Sequence, residues 1–107
     1  MSANEQLSKG QAELDALEDL LEKQIKLARL GNITELEVLS KQANCCVEKI
    51  AETRILESVE YKNQKGKLEK LYRDLCLTLA VQKAETVEEL KQVRRGKKTI
   101  GAYRSNL

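Results

Sequence analysis

Residues 67–93 read KLEKLYRDLCLTLAVQKAETVEELKQV and carry more apolar surface than one helix face can hold. At about 100° per residue, Leu68, Tyr72, Leu75, Leu79, Thr86, Leu90 and Val93 share one direction, the stripe of a core-facing helix. Leu77, Val81 and Ala84, spaced i, i+4, i+7, fall on the opposite side, so the run LCLTLAV is apolar all the way round. A second stripe of this kind needs a cover, either from the chain itself or from a partner.

The rest of the chain supports a helical reading. Its 107 residues make one domain. Proline is absent, glycine occurs five times, and 34% of residues are charged in mixed sign, the composition of long helices. Three tyrosines are the only aromatics, so Leu, Ile, Val and Ala must build the core. No apolar run approaches the roughly 20 residues of a membrane span. The N-terminal MSANEQLSKG has no apolar signal-peptide segment, so a cytoplasmic location is expected. Cys45, Cys46 and Cys76 have no framework spacing and read as reduced thiols used in packing. With no histidine, a metal site would need cysteines and carboxylates alone, and no metal or cofactor is expected.

Helix 1 is expected over about 4–30, with Leu7, Leu14, Leu17, Leu21, Ile25 and Ala28 on one face. Gly31 suits a left-handed helix end. Thr34 with Glu37 spells a capping box, with Ile33 and Val38 placed as a hydrophobic staple, so helix 2 returns antiparallel. Helix 2 is expected over about 35–61, with Leu36, Leu39, Ala43, Cys46 and Ile50 facing helix 1. The period then slips: Arg54 and Glu57 fall on the core side while Ile55, Leu56 and Val59 point away. Either the helix bends after Ile50 or these three residues form a second exposed surface. Tyr61–Lys67, YKNQKGK, reads as the next turn, and helix 3 as 67–94. A continuous helix through that turn would be about 90 Å long with its stripes in water. The expected fold is therefore all-α, an up-down-up antiparallel three-helix bundle over residues 1–95. Gly96 and Gly101 are expected to end helical structure, leaving 96–107 as a basic tail, mobile or docked through Ile100 and Tyr103.

The inventory argues against catalysis: there is no histidine and no Gly-rich phosphate loop. Glu88 and Glu89 point about 100° apart on a helix and read as a solvated face rather than an acid–base pair. Residues 67–107 hold ten Lys/Arg against five Asp/Glu, and RRGKKTIGAYR holds five bases and no acid. Such a tail supports weak, salt-sensitive phosphate contacts. It lacks the aromatic platform of a nucleic-acid module, so nucleic acid is not the expected partner. The apolar surplus is the stronger signal. It comprises Leu20, Leu27 and Leu30, then Ile55, Leu56 and Val59, then Leu77, Val81 and Ala84. The expected partner-binding surface is Leu77, Val81 and Ala84, with Ile55, Leu56 and Val59 as a second wall, taking an amphipathic helix. A wide helix interface or a homodimer is the competing use of the same residues.

Two stretches resemble the flagellar type III export chaperones of the FlgN and FliT kind. One is LLEKQIKLARLGNITELEVLSKQ (Leu20–Gln42), a Leu-rich helix with a Gln, a short Gly turn, then Leu-x-x-Leu. The other is LKQVRRGKKTIGAYR (Leu90–Arg104), a late helix running into a basic, Gly-containing stretch and a lone Tyr. The resemblance implies a non-catalytic cytoplasmic chaperone that holds the amphipathic C-terminal helices of late flagellar subunits, of the hook-associated or filament-cap type, before export. In some relatives the C-terminal segment covers the substrate surface. The alternative is a structural helical adaptor or homodimeric coiled-coil protein with no export client.

Overall fold

A computed structural model describes residues 3–82 and 87–102. They are all-helical, in four helices rather than three: α1 (Ala3–Leu30), α2 (Ile33–Thr53), α3 (Lys62–Ala80) and α4 (Val87–Gly101), with short 3-10 turns at Ile55–Glu57 and Val59–Tyr61. The 28 residues of α1 span about 42 Å at 1.5 Å each. That nearly equals the 46 Å long axis of the molecule, so α1 is its spine.

The first turn follows from two residues. Gly31 takes φ +73°, and the Asn32 and Gly31 N–H groups donate to the carbonyls of Leu27 and Ala28 at 3.0 and 3.1 Å, a Schellman ending. Asn32, not Thr34, then caps α2, its Oδ1 accepting the Glu35 N–H at 3.3 Å. Asn directly after the left-handed glycine is a strong N-cap, so α2 starts ahead of the expected Thr34–Glu37 box. Ile33 is already helical and Val38 is 54% exposed, so no staple forms.

The slip in period after Ile50 marks the end of α2. Thr53 Oγ1 donates to the Ile50 carbonyl and accepts the Ile55 N–H, and Arg54 adopts φ 54°, ψ 23°. Arg54 is the one non-glycine residue with positive φ among the described residues. This left-handed step turns Ile55 and Leu56 inward, 4% and 0% exposed, where they plug one end of the core. Gly10 explains how Ile55 fits: a Cβ on residue 10 would overlap the Ile55 side chain. The second turn thus precedes Tyr61, and the polar stretch expected to be a loop is the first part of α3.

Leu68, Tyr72, Leu75 and Leu79 of α3 are buried as their spacing requires. The helix stops at Ala80, however, and α4 folds back along it. Glycine does not end helical structure at residue 96, which is buried inside α4 against Tyr72. Any side chain there would meet the Tyr72 hydroxyl, and Ile100 one turn on is 0% exposed. Residues 96–102 are therefore part of the folded body rather than a tail; Tyr103 lies outside the described residues.

Side-chain links give the helix directions. Gln24–Ser40 and Glu13–Lys49 run in opposite order along α1 and α2, which are antiparallel. Asp15–Gln64 and Glu18–Lys67 run in the same order along α1 and α3, which are parallel. Ser40–Glu89, with Asn44 beside Gly96, sets α2 parallel to α4. The fold is two αα-hairpins laid side by side, α1–α2 and α3–α4, with the 3-10 segment crossing between them at one end. Because α2 serves α1 on one flank and α4 on the other, Ser40 and Val47 are buried while Leu39 and Cys46 are only half-buried.

Candidate functional site

The sequence nominated six residues, and the structure separates them. Leu77 is 62% exposed and Val81 82% exposed, on the side of α3 opposite Leu68 and Leu75. Ala84 follows the end of α3 at Ala80 and lies outside the described residues. Ile55 and Leu56 are core residues and cannot form a second wall on this fold. Their removal from water follows from the Arg54 turn, which a helix running to residue 61 would not have made. Val59 is 50% exposed, but it precedes α3 whereas Leu77 lies fifteen residues into it. At 1.5 Å per residue they stand about 22 Å apart along the axis, at opposite ends.

Another exposed aliphatic residue stands at the height of Leu77 and Val81. The Asp15–Gln64 bond and the Glu18–Lys67 ion pair both set residue n of α1 level with residue n + 49 of α3. Leu30, 79% exposed at the end of α1, is thereby level with Leu79, between Leu77 and Val81. Of the other surplus residues, Leu20 and Leu27 pack partly against the core. The exposed apolar patch is a short one at the end of the α1–α3 layer. Each aliphatic side chain fully covered there would contribute about 1.5–3 kcal/mol.

A polar device inside the bundle escaped the sequence reading. Gln24 Nε2 donates to Ser40 Oγ at 2.7 Å, and the Ser40 hydroxyl donates to Glu89 Oε2 at 2.9 Å. All three side chains are buried, and together they tie α1, α2 and α4. Burial pushes the Glu89 carboxyl above its ordinary value, against the Ser40 hydrogen bond that favours the charged form. Glu89 thus belongs to an interior link, not to the solvated face expected of it. Its sequence signal was local: Glu88 and Glu89 open α4 and Lys98 stands in its last turn, the charge order of a separate helix.

The thiols are free. Burial, with the adjacent Glu13 carboxylate, pushes Cys46 up to about 11, and burial raises Cys76 as well, so both stay protonated at neutral pH. Among the described residues no three His, Cys, Asp or Glu side chains gather as metal ligands, and no helix is long and apolar enough to cross a membrane.

No family model matches the chain, and no curated protein or solved structure matches it.

Proposed function

We propose that this protein is a cytoplasmic flagellar export chaperone that holds the amphipathic C-terminal helix of a late flagellar subunit, of the hook-associated or filament-cap type, against the outer face of α3. The observation that carries the reading is the exposure of Leu77 and Val81 on a helix whose opposite face is fully buried. A helix end that keeps two aliphatic side chains in water, with Leu30 of α1 at the same height, offers a client the i, i+4 anchor of helix-on-helix recognition. Ala84 lies outside the described residues, and Ile55 and Leu56 take no part.

The test is capture of such C-terminal helices by the full chain. Leu77→Asp with Val81→Asp is expected to abolish capture while leaving helical circular dichroism and the melting temperature nearly unchanged. Unchanged capture by that variant refutes this surface as the site. Failure of every hook-associated and filament-cap helix to bind the unaltered chain refutes the function.

A further inference from the structure

The basic residues expected in a loose tail stand instead on a rigid two-helix face. Lys91, Arg94 and Lys98 of α4 and Lys70 and Arg73 of α3 are exposed, and Lys97 is half-buried. Contacts fix the flank of α3 that they share. Gln64 and Lys67 meet Asp15 and Glu18 of α1, whereas the Lys97 and Arg94 cations act on the Cys76 thiol. α1 and α4 therefore lie on opposite sides of α3. At 100° per residue, Arg73 stands about 60° from Cys76 and about 120° from Lys67, on the α4 side, with Lys70 at the outer edge between them. Steps of three residues carry α4 outward in the same way, from Lys97 through Arg94 to Lys91, with Lys98 beside it.

Tyr72 meets Gly96, so Lys70 and Arg73, both within two residues of Tyr72, are level with the middle of Lys91–Lys98. That stretch of α4 is about 10 Å long. Among the described residues none of the six cations pairs with a carboxylate. The nearby acids are turned elsewhere or stand at the rim. Asp74 shares the side of Lys67, toward α1; Glu69 pairs with Lys65; Glu89 is buried. Glu88 stands at the start of α4, and Arg95 turns to α2, where it lines a groove with Glu48.

We propose that this α3–α4 face binds duplex DNA through its phosphate backbone, without preference for base sequence. A duplex carries about one negative charge per 1.7 Å of axis, roughly six over about 10 Å, which corresponds to the density of these six cations. The two rows stand on helix axes about 8–10 Å apart, a spacing that lets them straddle a minor groove about 6 Å wide and meet phosphates of both strands. Backbone contact needs no aromatic platform. Single strands fit less well, because Tyr72 is buried and offers no ring for bases to stack on. A protein partner also fits less well: protein interfaces close around an apolar, charge-depleted centre, and the centre here is Arg73 and Arg94. Leu77 stands one turn beyond Arg73, at the end of the row. The inference does not rest on the client proposed above.

Fluorescence anisotropy of a labelled DNA duplex of about 20 base pairs, titrated with the full chain at about 50 mM salt, should show saturable binding, alike for two unrelated sequences. With four to six phosphates engaged, the log–log salt slope should lie between about −3.5 and −5.5, a loss of about 10²–10³-fold by about 200 mM. Arg73→Glu with Arg94→Glu should weaken binding at least about tenfold and flatten the slope by about 2. Lys91→Glu with Lys98→Glu, confined to exposed positions of α4, should do the same. Lys26→Glu with Arg29→Glu on α1, an equal change in net charge, should leave the slope unaltered. No binding at about 50 mM salt overturns the proposal, as does equal loss in the α1 variant or binding indifferent to both α3–α4 variants. Capture by phosphatidylserine-rich vesicles with no affinity for the duplex also overturns it, assigning the face to a membrane surface.

Discussion

Replacing Gly96 by alanine should destabilise this protein even though the same change at Gly66 should stabilise it. Both glycines are helical, and alanine in a helix interior is worth about 1 kcal/mol more than glycine. At Gly66 a Cβ would meet nothing within 4 Å, so the full gain of about 1 kcal/mol is expected. At Gly96 the Cβ would stand 2.7 Å from the Tyr72 hydroxyl oxygen, 3.2 Å from its Cζ and 3.3 Å from Asn44 Oδ1. Tyr72 is 2% exposed and wedged between helices, so it cannot swing clear. Overpacking of this kind costs about 1–3 kcal/mol. The two Gly→Ala variants should thus differ by about 1–3 kcal/mol in urea unfolding followed by circular dichroism at 222 nm. Among the described residues the Tyr72 hydroxyl has no hydrogen-bond partner, so Tyr72→Phe should itself cost little. In that background the Gly96→Ala penalty should shrink by about 1–2 kcal/mol, a coupling expected only of groups in contact. If Gly96→Ala stabilises as much as Gly66→Ala, with no coupling to Tyr72, α4 does not pack against α3 in this register.

Three further outcomes follow from the same packing. Arg54 holds a left-handed conformation that costs a side-chain-bearing residue about 1–2 kcal/mol, so Arg54→Gly should raise stability by about 0.5–1 kcal/mol in thermal melts; a loss would place the turn elsewhere. Leu56→Ala should cost about 2–5 kcal/mol as a core truncation while Val59→Ala, half in water, should cost well under half as much, and equal costs would deny that the 3-10 segment plugs the core. Glu89 binds its proton more tightly folded than unfolded, so its protonated form supports the fold fully below its ordinary, unfolded carboxyl value. That support is lost as pH rises through the raised folded value; the stability of Glu89→Gln relative to the unaltered chain should therefore grow with pH and then level off, and a difference independent of pH would place the carboxyl in solvent.

What the sequence disclosed and what it hid have physical reasons. Leu14, Leu21, Leu36, Leu68, Leu75 and Leu79 were legible because one helix face repeats with one period. The Gly31 turn was legible because few residues accept a left-handed conformation. The end of α2 and the run of α4 through Gly96 were not, for opposite reasons. At Arg54 a residue with an unfavourable backbone makes the turn, so the only trace was the displaced phase of Ile55 and Leu56. At Gly96 a residue that usually ends helices lies inside one, because a tyrosine from another helix needs its missing side chain. A contact between residues 72 and 96 is invisible to local propensity. Of the candidate surface, Leu77 and Val81 were read from surplus alone and are exposed. Leu30 was noted as surplus, but its standing at their height depends on α1 and α3 running parallel, which no single-helix pattern encodes. Ile55 and Leu56 were misassigned with the turn that buries them.

The claim that the outer stripe of α3 receives a partner is tested most directly by methyl nuclear magnetic resonance of the full chain during titration with the C-terminal helix of a hook-associated or filament-cap subunit. The methyl signals of Leu77 and Val81 should shift or broaden to saturation, while those of Leu68, Leu75 and Leu79 on the buried face hold their positions. Saturable binding that leaves Leu77 and Val81 untouched would contradict the account.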